Sequence, residues 1–114
     1  HRNYFPVIKE LIQSDDLNAL AHITGGGLPG KMPAILPGDL AADFQRASWN
    51  VPPIFDVIQR EGGVSTDEMF RVFNMGVGMV LACAPEKTDE VRLLLPEARV
   101  VGEVVEGGEV ALSR

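Results

Sequence analysis

The chain has little of several features that would place it in a special class of protein. Its one cysteine, Cys83, cannot form an intrachain disulfide, so we expect a small buried side chain in a reducing cytoplasm. The longest apolar run, residues 77–84, is far shorter than the ~20 residues that span a bilayer. The net charge is −6 and no Lys/Arg cluster occurs. These absences argue against membrane and nucleic-acid partners.

The remaining composition is that of an ordinary soluble domain. Of the 114 residues, 46% are hydrophobic and 23% are charged, which predicts a single core. The first residue is neither an initiator Met nor part of a basic, apolar signal. We therefore interpret residues 1–114 as one domain of a longer protein.

Apolar spacing and capping residues predict three elements in the first half of the chain. A helix capped by Asn3 is expected to run to about Ser14. A buried strand over 17–23 enters a glycine loop, which is expected to continue through Pro33. A weaker strand is predicted over 40–44.

The second half is predicted to begin with two helices. Pro52 and Pro53 open the first, Gly62 and Gly63 end it, and Ile54, Phe55, Val57 and Ile58 are expected to face one way. Ser65 and Glu68 have capping-box spacing for the second. Its buried face is expected to comprise Met69, Phe70, Val72 and Phe73.

A strand, a helix and a hairpin are predicted to follow. The strand covers 76–84, and the helix covers 85–95 with Val91, Leu94 and Leu95 inward. Gly107-Gly108 predicts a two-residue hairpin between 99–105 and 109–112. The hairpin and the adjacent helix pair break strict strand–helix alternation, which predicts an α+β fold with helices packed on a mixed sheet.

The glycine segment, residues 25–32, matches two nucleotide-binding patterns only superficially. As a phosphate-binding loop it ends in Met32, which has no hydroxyl for magnesium, and Pro29 removes one backbone donor. As a dinucleotide-binding turn it should open a regular helix, which Pro29 and Pro33 are expected to obstruct. Both patterns are rejected.

Two interpretations of the glycines stay open. Gly25, Gly26 and Gly27 can expose successive N–H groups to an anion, with the Thr24 hydroxyl beside them. They can equally mark a tight crossover in which any side chain would clash.

Other candidate residues are few. His22, at the junction of strand and loop, is a weak catalytic candidate and more typical of a hydrogen-bonded core or rim histidine. Asn74 is most simply a left-handed helix cap, and Gly76 marks close backbone approach or a ligand. Arg71 is a solvated charge or an interdomain or phosphate partner. Trp49 is expected to anchor the core or an interface. No metal-ligand spacing occurs.

Taken together, four segments of the chain resemble the C-terminal domain of phosphoribosylformylglycinamidine cyclo-ligases. Their order and spacing make the resemblance specific over essentially the whole chain, including Arg2 and Tyr4. The matching segments are Ala21-His22-Ile23-Thr24-Gly25-Gly26-Gly27, Met32-Pro33 with Ile35-Leu36-Pro37, Trp49 followed by 52–55, and Glu68 through Met79.

The resemblance implies a three-layer α/β/α domain with partial likeness to a ferredoxin-like arrangement. It also implies an enzyme in which ATP and Mg²⁺ activate the formyl oxygen of formylglycinamidine ribonucleotide, so that ring closure yields aminoimidazole ribonucleotide, ADP and phosphate. ATP would be held mainly by an N-terminal domain, and the full-length enzyme would be a cytoplasmic homodimer. This domain alone is expected to bind no cofactor and to be inactive.

The hypothesis for the site combines the resemblance with the residues. Backbone donors of residues 25–27, with Thr24, would bind a substrate phosphate or polar group in the cleft between the halves. Arg71 and Asn74 would shape the wall opposite the nucleotide, and Gly76 is a further substrate-binding candidate. Family members commonly show Asn, then Pro-Arg, after the glycine loop; here Lys31, Pro33 and Ala34 occur, so no role is carried to that arginine position.

Two alternatives remain open. The chain resembles, less closely, other ATP-dependent members of the same superfamily, such as selenophosphate synthetase, thiamine-phosphate kinase and formylglycinamidine ribonucleotide synthetase. A binding module that kept the fold without catalysis is the alternative of a different class.

Overall fold

The computed structural model describes residues 3–14 and 17–113; Arg2, part of the resemblance, lies outside them. The α+β prediction is confirmed within these residues. No helix there is long and apolar enough to cross a membrane. The helices are α1 (Phe5–Gln13), α2 (Gly27–Lys31), α3 (Pro53–Gly62), α4 (Thr66–Val72) and α5 (Thr88–Leu94), and the strands are β1 (Ala19–His22), β2 (Leu40–Gln45), β3 (Met79–Ala82), β4 (Gly102–Glu106) and β5 (Ala111–Ser113).

The strands form two sheets where pattern alone predicted one. β1 and β3 make an antiparallel pair in which Ala21 lies opposite Val80 and His22 opposite Met79. In the second sheet β2 is central, antiparallel to β4 and parallel to β5. The predicted mixed sheet is therefore this second one, and β1–β3 is separate from it.

The predicted hairpin between β4 and β5 is wrong. Both strands pair with β2, one on each side, so they do not pair with each other. Gly107 and Gly108 do adopt positive φ values of 69° and 77°, and the Gly107 N–H donates to the Asp39 carbonyl at 2.8 Å. The glycines thus turn the chain across the start of β2, because the apolar β2 occupies the position between the two strands.

The glycine loop also differs from the prediction. It was expected to continue as a loop through Pro33, but the chain forms α2 and then a 3-10 turn, Met32–Ala34. Pro29 does not obstruct α2, because N–H groups in the first turn of a helix have no partner within it. The short helix buries Leu28 and the 3-10 turn buries Met32, which places both elements against the core.

The helices begin and end largely where their caps predict, but their apolar faces are narrower. The Ser65 hydroxyl accepts a hydrogen bond from the Glu68 N–H at 3.2 Å, and Met69 and Phe70 are buried. Val72 is 44% exposed, so its predicted burial is wrong. The α5 helix buries Val91, but Leu94 is 43% exposed and not inward as predicted.

Similar exposure occurs on the other two long helices. In α3, Ile54 and Val57 are exposed, whereas Phe55 and Ile58 are half-buried. In α1, Ile8 and Leu11 are buried and Phe5 and Ile12 are exposed. The apolar faces predicted from spacing are thus only partly covered in the described residues.

The main core lies between the glycine loop, β2 and the end of α4. Trp49 anchors it as predicted: its indole N–H donates to the Met75 carbonyl at 3.1 Å, and its ring meets Phe70 edge-on. Cys83 is half-buried, which corrects the expectation of full burial. The buried cluster comprises Ala21, Ile23, Leu28, Met32, Ala42, Phe44, Trp49, Met69, Phe70, Met75 and Val80.

Candidate functional site

The glycine loop begins with a tight turn from Thr24 to Gly27. The Gly27 N–H donates to the Thr24 carbonyl at 3.0 Å, and Gly26, with φ of 96°, provides the left-handed residue that closes the turn. Thr24 and Gly25 are exposed, whereas Gly27 is buried. The predicted donor at Gly27 is therefore committed inside the turn and cannot serve a ligand.

The three glycines differ in whether the local structure requires a residue without a side chain. A Cβ at Gly27 would overlap the carbonyl oxygens of Phe70 and Phe73 at the end of α4. Gly25 has no positive φ, and a Cβ there would meet nothing within 4 Å. The tight-crossover interpretation therefore holds for Gly27, and packing gives no reason for glycine at position 25.

Gly25 and Gly26 retain donor capacity. Among the described residues, their N–H groups donate no hydrogen bond to protein. They adjoin the exposed Thr24, so the turn carries two backbone donors next to a hydroxyl. Such a turn can bind the oxygen atoms of a polar or anionic group.

A second loop, residues 73–78, lies beside this turn and is joined to it by Asn74. The Asn74 side-chain amide donates to the Ile23 carbonyl at 3.5 Å, and its Oδ1 accepts the Gly76 N–H at 2.9 Å. The Ile23 N–H donates in turn to the Gly78 carbonyl at 2.9 Å. The structure thus brings Asn74 and Gly76 next to residues 23–27.

Asn74 is not the left-handed cap that the sequence predicts. The positive φ values belong to Met75 (54°) and Gly76 (97°), because Asn74 uses its side chain to close an Asx turn. A positive φ at a non-glycine residue is uncommon. At Met75 it is held by the buried side chain and by the hydrogen bond from the Trp49 indole.

Two further residues complete this edge of the molecule. His22 is exposed at the end of β1, and its ring meets that of Tyr4 edge-on, with ring centres 6.1 Å apart. A Cβ at Gly78 would overlap the Tyr4 phenol. From the sequence, Tyr4 was included only in the resemblance and its contact with His22 was missed, because nothing in local spacing links residues 18 positions apart.

Arg71 is not joined to the glycine turn by any described contact. Its guanidinium pairs with Glu68 at 3.3 Å, one turn earlier on α4, and both side chains are largely exposed. Such a pair contributes little to stability in water. Of the residues predicted for the site, Arg71 is the one that the structure does not bring to the two loops.

The donor set of the described residues does not suit a metal ion. No group of three or more His, Cys, Asp or Glu side chains lies together in the ranges 3–14 and 17–113. A hard cation such as Mg²⁺ takes oxygen ligands, mainly carboxylates, which the two loops do not provide. No chemical step is therefore assigned to a metal held by this chain.

The α+β fold of this chain is also found in a protein of known structure. The crystal structure of E. coli HypE, a hydrogenase maturation protein, shares the fold with a TM-score of 0.69. The match covers 96% of this chain and 35% of that chain, at 21% identity.

The sequence gives the particular family. Residues 2–114 match the family described as AIR synthase related protein, C-terminal domain, and the chain belongs to that family. The chain is 44% identical to a phosphoribosylformylglycinamidine cyclo-ligase from Bifidobacterium animalis. That match covers 90% of this chain and 31% of the cyclo-ligase. The chain is 40% identical to the Geobacillus thermodenitrificans protein of that name, and the match covers 98% of this chain and 34% of that protein. The chain thus spans about a third of these relatives.

Proposed function

We propose that this chain is the C-terminal domain of a cyclo-ligase that converts formylglycinamidine ribonucleotide and ATP to aminoimidazole ribonucleotide, ADP and phosphate. The family match and the identity to proteins of that name support this assignment. The observation that carries the site is the open face of the glycine turn. There the N–H groups of Gly25 and Gly26 donate to nothing in the described residues, although packing does not require a glycine at 25.

In this proposal the two loops position substrate. Gly25, Gly26 and Thr24 bind a phosphate or another polar group of the ribonucleotide, and Gly27 keeps the turn seated on α4. Asn74 acts as a positioning residue, since it holds Gly76 and the Ile23 carbonyl at fixed separation. His22 lines the same edge and remains the candidate for proton transfer, while Arg71 would contact the ligand only after leaving Glu68.

The rest of the enzyme is assigned to polypeptide outside this domain. ATP and Mg²⁺ would be bound mainly by an N-terminal domain, with the reaction in the cleft between the halves. The partners are the nucleotide substrate, that N-terminal domain and a second copy of the full-length protein in a cytoplasmic homodimer.

The reaction is tested on the intact protein that contains this domain. We expect ATP-dependent phosphate release that requires formylglycinamidine ribonucleotide, with aminoimidazole ribonucleotide formed in equal amount. Phosphate release that depends on a different acceptor would contradict the assignment and favour another ATP-dependent member of the superfamily.

The 114-residue chain is predicted to show no turnover by itself. No three His, Cys, Asp or Glu side chains of the described residues lie together to hold Mg²⁺, and the proposed ATP site lies elsewhere in the protein. The same coupled assay on the purified chain checks this. Product formation above the level of a blank without protein would show that this chain catalyses the reaction without the rest of the protein.

A further inference from the structure

Four strand edges lie unpaired within the described residues, one each on β1, β3, β4 and β5, and those of β3 and β4 line the same groove. β3 has one neighbour, β1, and β4 has one, β2. The Gly78 and Ala82 carbonyls accept hydrogen bonds from the β1 side. Backbone groups alternate in direction along an antiparallel strand, so those of Met79 and Leu81 point away from β1.

β4 also has backbone groups that point away from its neighbouring strand. The Val101 carbonyl accepts the Gln45 N–H, and the Gly107 N–H donates to Asp39, so odd-numbered residues from 101 to 107 face β2. The backbone groups of Gly102 and Val104 therefore point to the other side. Each of these two strands carries a row of free donors and acceptors.

The free edge of β3 has none of the devices that keep exposed edges from pairing. Soluble proteins usually protect such edges with charged residues, prolines or bulges. Residues 79–82 are Met-Val-Leu-Ala, with Cys83 and Ala84 next, and contain no charge and no proline. A β3 edge open to water would be an aggregation site, which indicates that it is covered in the working protein.

Both edges line one groove. Its volume is about 750 Å³, and all of β3 and the first three residues of β4 contribute to its walls. Ile8 and Val91 line it from α1 and α5, and Phe44 and Trp49 line it from the second sheet. The groove is thus mainly apolar in its side chains and has an unpaired backbone row on each side.

We propose that this groove receives an extended strand from the part of the same polypeptide that lies outside this chain. The inserted strand pairs with β3 on one side and β4 on the other, which joins the two sheets into one. The inference rests on the proposed function in one respect, that the domain belongs to a longer protein. The matched relatives are about three times as long as this chain, so the chain that could supply such a strand exists in them.

A second copy of this chain fits the groove poorly. A strand inserted between two edges must have both of its own edges free. Every strand in the described residues already has at least one edge paired. A two-stranded sheet such as β1–β3 is also marginal alone, so insertion would stabilise it. We expect the inserted strand to be a largely uncharged apolar run, since both of its faces would be covered.

Amide hydrogen exchange on the intact protein tests the pairing. The groove-facing amides of Leu81 and Val104 should exchange within about tenfold of the rates of their partner-facing neighbours, Val80 and Glu103. Exchange of Leu81 and Val104 faster by about a hundredfold or more would show open edges and overturn the proposal. The neighbouring residues serve as the internal control.

Photo-cross-linking tests the occupant. Val104→Cys and Leu93→Cys are prepared in the intact protein with Cys83→Ser and other accessible cysteines replaced by serine, and each is labelled with a thiol-reactive benzophenone. Leu93 is 80% exposed and outside the groove, so it is the control. We expect position 104 alone to cross-link, within one polypeptide, to a peptide preceding residue 1 of this chain. Cross-links between two chains, or none above the Leu93 level, would overturn the proposal.

The two hypotheses fail separately. If the phosphate-release assay succeeds and Leu81 and Val104 exchange freely, the cyclo-ligase assignment stands and the inserted strand is wrong. If the edges are protected and cross-linked as expected but formylglycinamidine ribonucleotide is not a substrate, the strand stands and the reaction is wrong.

Discussion

Three consecutive glycines, at positions 25 to 27, perform separate tasks in one turn. Gly27 allows close packing against two carbonyls at the end of α4, Gly26 provides a left-handed conformation, and Gly25 occupies open space. The sequence predicts a turn here but cannot distinguish these tasks, because the α4 carbonyls approach from more than 40 residues away. Position 25 is the one at which a side chain can probe the ligand without disturbing the fold.

Gly27→Ala is predicted to destabilise the protein by at least about 2 kcal/mol, since alanine would be strained at φ of 62° and its Cβ would overlap the Phe70 carbonyl. Gly30→Ala is the matched control, because position 30 is open and has no positive φ. We expect the control to be neutral or stabilising by up to about 1 kcal/mol. Urea unfolding of the two variants measures the difference; equal stabilities would contradict the packing described.

Helix ends were the features best predicted from local sequence. The Ser65 cap, the Pro53 start and the left-handed Gly63 that follows α3 all appear in the structure. Each depends on contacts within a few residues, so the local sequence contains the information. The wrong prediction for Asn74 also concerns a helix end. Its side chain can close an Asx turn, or the residue can form a left-handed cap, and the choice depends on contacts with Ile23 and Trp49, which are distant in sequence.

At the level of the element, Ser65→Ala should reduce the free energy of unfolding by about 1 kcal/mol, because the Glu68 N–H loses its acceptor. Ser65→Asp keeps an acceptor and adds a favourable charge at the helix start, so we expect it to be within about 0.5 kcal/mol of the parent. Thermal or urea unfolding checks both. An aspartate variant as unstable as the alanine variant would mean that the side-chain cap does not stabilise α4.

Over the whole molecule, the existence of the strands was predicted better than the way in which they pair. The β4–β5 hairpin was expected from Gly107-Gly108, but β2, about 60 residues earlier, pairs with both strands. The separation into two sheets and the groove between them also depend on pairings far apart in sequence. Asn74 lies beside the glycine turn through its contact with Ile23, whereas no described contact joins Arg71 to that turn, since its side chain pairs with Glu68.

The most direct test of the proposed site compares Gly25→Leu with Gly38→Leu in the intact protein. Both glycines are exposed, have open space for a Cβ and lack a positive φ, so neither change should affect folding. We predict that Gly25→Leu lowers kcat/KM for formylglycinamidine ribonucleotide by about 10- to 100-fold, while Gly38→Leu stays within about twofold of the parent. A folded Gly25→Leu variant with parental kcat/KM would show that the glycine turn does not contact the substrate.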